Sequence, residues 1–137
     1  MLKEQRPRQA AQREKLSMTI HNFRELVAWQ KAMQLTKDVY TITQSFPAEE
    51  RFALTSQIQR AAVSIPSNIA EGAGRPTQKE LVHFLSFSLG SAYELETELL
   101  LAEALGYISA IQSEQLNTAI VEVQKLVYSL MRKYNPS

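Results

Sequence analysis

Apolar residues recur along most of the chain at alternating steps of four and three. Ala28, Ala32, Leu35, Val39, Ile42 and Phe46 advance in this way. Such steps hold side chains on one stripe of an α-helix. The spacing predicts a first helix from near Asn22, where Asn22 and Glu25 stand at capping-box distance, to Phe46. Phe46 precedes Pro47, and a residue before proline is pushed out of the α region. A second helix is predicted from Pro47 or Ala48, with the stripe Leu54, Ile58, Ala61, Ile65, Asn68/Ile69 and Gly72. Pro66 lies inside it and predicts a kink, because it withholds a donor from the Ala62 carbonyl. Ser64, Ser67 and Asn68 are the nearby groups that could serve that carbonyl. The alternative is two short helices broken at Ile65.

Gly72, Ala73, Gly74, Arg75 and Pro76 form the clearest break. Thr77 and Glu80 then cap a third helix with the stripe Leu81, Leu85, Ser88, Ala92, Leu95, Leu99 and Ala102, closed by Gly106. Ser109 and Gln112 cap a fourth, with Leu116, Ala119/Ile120, Val123, Val127, Leu130 and Tyr134, stopped at Asn135 and Pro136. No segment alternates with period two. The fold class expected is all-α: an antiparallel up-down-up-down four-helix bundle with a kinked second helix, spanning 22–135.

Two helices carry a second apolar stripe: Leu26, Trp29, Met33 and Tyr40 on the first, and Val82, Leu89, Tyr93 and Leu100 on the third. A wide core face explains them, and so does a contact between copies, where aromatic residues and methionine are enriched. The second explanation is the one carried forward, and it makes the protein a homo-oligomer.

Composition narrows the chemistry. The chain has 137 residues, the size of one domain, and no cysteine. Disulfides, thiolate catalysis and zinc fingers are excluded. Residues 1–17 hold Lys3, Arg6, Arg8, Arg13 and Lys15 against Glu4 and Glu14, a local +3 in a chain of net +1. Residues 1–21 are therefore expected to be a basic polar tail, with Met18 a candidate start, and the remainder carries −2. No apolar run has the length of a membrane span, and no apolar segment follows the N-terminal charges as in a secretory signal. The expected location is cytoplasmic.

Candidate sites are few. Glu80 and His83 have the spacing of half a di-iron site. The only other histidine, His21, cannot complete it, so no metal or cofactor is expected. Glu94, Glu96, Glu98 and Glu103 read as the wet face of the third helix. The loop Gly72 to Thr77 lacks the lysine and preceding strand of a phosphate-binding loop. Arg60, Ser64, Asn68, Glu71 and Arg75 line one polar face of the second helix, as a hydrogen-bond network or as a ligand surface. No nucleophilic triad is present, and an enzyme is not expected. Residues 77–111 sum to −4 and should repel nucleic acid. Any phosphate contacts fall to the tail and to Arg24, Lys31, Lys37, Arg60, Arg75, Arg132 and Lys133.

One stretch is distinctive: Arg60, Ala61, Ala62, Val63, Ser64, Ile65, Pro66, Ser67, Asn68, Ile69, Ala70, Glu71 and Gly72. With Leu26 to Met33, Phe46-Pro47, Glu50 to Phe52 and Glu94 to Thr97, it resembles the four helix bundle protein family, also called the 23S rRNA intervening-sequence proteins. The resemblance covers residues 22–134. It implies a four-helix bundle without established enzymatic activity. It also implies likeness to the accessory protein of diversity-generating retroelements, a pentameric ring that binds nucleic acid and a reverse transcriptase. The function expected is thus an oligomeric accessory or binding protein with RNA or another nucleic acid as partner. The alternative is a protein–protein scaffold.

Overall fold

The computed structural model describes Ile20 and residues 22–135; the expected tail, His21 and Met18 lie outside the described residues. Four helices follow in order: α1 (Val27–Thr43), α2 (Leu54–Ala73), α3 (Gln78–Ala104) and α4 (Ala110–Tyr134). Two short 3-10 turns, Phe23–Glu25 and Ala48–Glu50, precede α1 and α2, and no strand occurs among the described residues. Each helix packs against its chain neighbours, and α1 closes on α4, which makes a square of helices. One end holds the turn through Gly74, and the other holds the turns through Pro47 and Gly106.

The periodic stripes are the core. All seven stripe residues of α3 are buried, as are Leu35, Val39, Ile58, Ile65, Ile69, Ile120, Val123 and Val127. Two capping expectations hold in detail. Ser109 Oγ accepts from the Gln112 amide at 3.1 Å while Gln112 Oε1 accepts from the Ser109 amide at 3.0 Å, a complete capping box. Gly106, at φ +82°, ends α3 with the Tyr107 amide bonded to the Ala102 carbonyl and the Gly106 amide to Glu103, a Schellman closure.

Three boundaries differ from expectation. The first helix starts at Val27, not Asn22. Asn22 accepts from the Arg24 amide at 3.0 Å and so caps only the single 3-10 turn; Leu26 is then extended, at φ −71° and ψ 126°. It also stops at Thr43, because the last amides before Pro47 fold back on carbonyls three residues earlier. The second helix starts at Leu54, not Pro47. Glu50 is taken up between two partners, accepting from the Leu54 amide at 3.4 Å and from the Tyr107 hydroxyl at 2.7 Å. Phe46 packs on the same tyrosine ring, so one clasp joins both turns at this end.

Pro66 does not divide α2, which runs unbroken from Leu54 to Ala73. The Ala62 carbonyl that Pro66 cannot serve lies 3.0 Å from the Thr36 hydroxyl of α1. None of the expected local groups supplies that bond. A neighbouring helix satisfies the vacancy, and the proline itself is buried.

Candidate functional site

The polar face of α2 lies against α3. Ser64 Oγ and Ser91 Oγ are 2.8 Å apart, and the Asn68 side-chain amide donates to both the Ser64 carbonyl, at 2.8 Å, and its hydroxyl, at 2.9 Å. Below them the buried Ser88 hydroxyl donates to the Ile65 carbonyl at 2.9 Å. These short side chains let two backbones approach while the three serine hydroxyls and the Asn68 amide nitrogen all find partners. Gly72 completes the approach: a Cβ there would meet Phe84 Cβ at 3.0 Å and the Leu81 carbonyl at 3.1 Å. Arg60 reaches Glu94 at 3.8 Å, while Arg75 reaches Glu71 at 4.0 Å and lies 4.5 Å over the Phe84 ring. The distinctive motif is thus a close helix–helix seam with a charged border.

The four glutamates of α3 do not form one wet face. Glu96 accepts from the largely buried Gln124 at 2.8 Å, on the α4 side. Glu94 and Glu98 stand on the α2 side. Burial first, then the charge of Glu94 and a hydrogen bond with it, push the Glu98 carboxyl up to about 7, against a smaller lowering by Arg60. Glu98 Oε1 is shielded from solvent and has no hydrogen-bond donor. Glu80 is occupied at the α3 cap, where the Thr77 hydroxyl donates to it at 2.8 Å, and the His83 ring stacks edge-on to Phe87 at 4.4 Å. Among the described residues no three His, Asp or Glu side chains gather as a metal group.

The second stripes divide by burial. Leu26, Trp29, Val82 and Leu89 pack partly against the chain's own core, and Trp29 also meets Phe23 edge-on at 5.3 Å. Tyr40, Tyr93 and Leu100 are exposed, Tyr93 by 54%, while Met33 is intermediate. Thr36 marks the flank of α1 that touches α2, and Tyr40, four residues on, shares it. Gln59 donates to Thr43 from the facing flank of α2, which Val63 shares. Glu96 and Gln124 likewise mark the α3–α4 seam; Tyr93 and Leu100 flank Glu96, and the exposed Tyr128 stands four residues past Gln124. In a square of helices these two apolar strips occupy opposite sides.

Folding back the chain sorts its charge. Around the Gly74 end, residues 22–35, 65–92 and 122–135 hold seven lysines and arginines against four acids. Around the Gly106 end, residues 36–64 and 93–121 hold three against eight. Arg24, Lys31, Arg75, Arg132 and Lys133 belong to the basic end, joined by Lys79 and Lys125, which sequence reasoning passed over. Lys37 and Arg60 belong to the acidic half. Lys31 pairs with Glu122 at 3.1 Å, and Lys133 lies 5.4 Å from the Tyr134 ring centre.

No described helix is long and apolar enough to cross a membrane. The fold is similar to that of a protein of unknown function from the S23 ribosomal protein family of Bacteroides thetaiotaomicron, with a TM-score of 0.72 and 26% sequence identity over 77% of this chain and 99% of that one. No curated protein matches the chain. The family model of the 23S rRNA-intervening sequence protein matches residues 24–129, which take in the whole α2 motif, and the chain belongs to that family.

Proposed function

We propose that the protein is a non-catalytic, cytoplasmic, homo-oligomeric binding bundle whose basic end takes the phosphates of RNA or another nucleic acid. The observation that carries this reading is the separation of charge along the bundle: seven basic residues against four acidic at the Gly74 end. Nucleic acid meets such a surface mainly through its backbone, with little sequence preference and steep salt dependence. The basic tail of residues 1–17 would add to it, since it joins the bundle through Ile20, which lines a small cleft with Gly72, Arg75 and Leu81. The opposed apolar strips support assembly. Two different patches on opposite sides favour head-to-tail contacts, and these close into a ring when the rotation allows. Five copies is the number that the family resemblance implies.

The test is a titration of RNA and of single-stranded DNA at low and physiological salt, on the full chain and on a form beginning at Met18. Binding that weakens in an Arg132→Glu, Lys133→Glu variant but not in Lys37→Glu supports the basic end. Loss in the short form assigns it to the tail. Absence of binding by every form at low salt removes the nucleic-acid role. A protein scaffold is the second reading, favoured by the acidic Gly106 end, which repels polyanions.

A further inference from the structure

The Gly106 end carries exposed apolar side chains beside its acids. Phe52, two residues before α2, is 87% exposed. Leu101 and Leu105 are each about half exposed. On α3, Leu101 follows Glu98 by three residues and Leu105 follows Leu101 by four, so the patch continues the flank that holds Glu94 and Glu98. Two arginines border it without matching its acids: Arg51 lies 5.2 Å from the Phe52 ring centre, and Arg60 reaches Glu94 loosely at 3.8 Å, with Glu94 still half exposed. The shielded Glu98 Oε1 has no donor. An occupant of this surface needs positive charge and apolar anchors together.

The chain holds such a segment. Residues 1–17 carry five basic residues against two acidic, with Leu2 and Leu16 among them. They join the bundle beside Ile20 at the Gly74 end, whose charge has the same sign and repels them. Extended, 17 residues reach about 60 Å. The 27 residues of α3 rise only about 40 Å. The far end of the same bundle is therefore within reach, as is that of a neighbouring copy. We infer that the N-terminal segment, residues 1–17, docks on the Phe52, Leu101 and Leu105 patch, with its lysines and arginines against Glu94 and Glu98. A docked segment withholds its charges from phosphate, so the tail adds to the basic end only when a polyanion draws it out of this contact. Its presence does not depend on whether the protein binds nucleic acid.

The chain has no cysteine, so Gln9→Cys places a single nitroxide label on the full-length protein. The amide signals of Phe52, Leu101 and Leu105 should lose intensity at low salt. They should recover in about 0.5 M salt, where screening acts within a few ångströms. They should also recover in a Glu94→Gln, Glu98→Gln variant, whose spectrum reports at once whether it is folded. A Leu101→Ser variant should weaken the loss without altering charge. Mixing labelled protein with isotope-enriched unlabelled protein separates the two geometries: loss in the mixture places the segment on a neighbour, and loss only within one chain places it on its own bundle. Both results support the docking. Unchanged signals at this patch, or losses centred on Arg75, Lys79 and Arg132, overturn it.

Discussion

The hydroxyl of Thr36 stands 3.0 Å from the Ala62 carbonyl, the acceptor that Pro66 leaves without an amide. It lies 2.8 Å from the Ala32 carbonyl as well, so one hydrogen is shared between two helices. Thr36→Val keeps the shape and removes the hydrogen. The carbonyl of the fully buried Ala62 then stays unpaired, a loss of about 1–3 kcal/mol. Thr36→Ser should stay close to the parent. Urea unfolding of the three proteins checks this, and equal midpoints would mean that water serves the carbonyl.

Glycines 72 and 90 should respond to alanine with opposite signs. Helix preference alone favours alanine by about 1 kcal/mol. At Gly90 nothing lies within 4 Å of the added carbon, so Gly90→Ala should gain that amount. At Gly72 the added carbon meets Phe84 Cβ and a backbone oxygen, neither of which is a flexible side-chain tip. Overpacking of that kind loses about 1–3 kcal/mol. Gly72→Ala should therefore be destabilising, by unfolding midpoint, while Gly90→Ala stabilises.

The Glu98 carboxyl gives the fold a pH dependence of definite sign. Its folded value is raised from 4.5 to about 7, so between these the native state holds more proton than the unfolded chain. Stability from this group is therefore full below the lower value and falls as pH rises toward 7. Glu98→Gln removes that fall. The variant should gain stability over the parent near pH 8, and the gain should fade by pH 4. Unfolding midpoints across that range test it, and a carbon-detected titration of Glu98 should turn over near 7. A pH-independent difference would show that packing alone separates the two proteins.

Assembly should depend on the two opposed strips. Light scattering after size exclusion should give a multiple of the 15.5 kDa chain mass. Tyr93→Glu on the α3–α4 strip, or Tyr40→Glu on the α1–α2 strip, should lower that mass with little change in helix content, since both side chains are exposed. If contacts are head to tail, an equal mixture of the two variants can form one sound junction and should recover paired chains. A monomeric parent at micromolar concentration would make the strips ordinary surface.

Much of this fold was legible before any coordinates, and the reason is periodicity. Leu81 through Ala102 repeat at helical steps, and every one of them is buried. Gly106 and the Ser109 and Gln112 pair also behaved as read, because their chemistry is local. Asn22 and Glu25 misled, since a cap side chain suits a single 3-10 turn as well as a long helix. Thr36 and Tyr107 escaped notice because their partners lie 26 and 57 residues away. Ser64 and Asn68 share a helix face by their spacing, yet their seam with Ser91 needed the α2–α3 register. The polarity of charge was hidden for a related cause. Counted along the chain, acids and bases nearly cancel; only the antiparallel return of each helix gathers them at separate ends.

That polarity bears on what an assembly could look like. In a ring closed sideways through the two strips, every bundle points the same way. All the Gly74 ends would then share one rim and all the Gly106 ends the other. Such a wheel has a positive face and a negative face a bundle's length apart. It could hold a polyanion on one side and a cationic protein on the other at once, each kept from the wrong rim by repulsion, and so act as an insulated coupling between two partners that would otherwise neutralise each other.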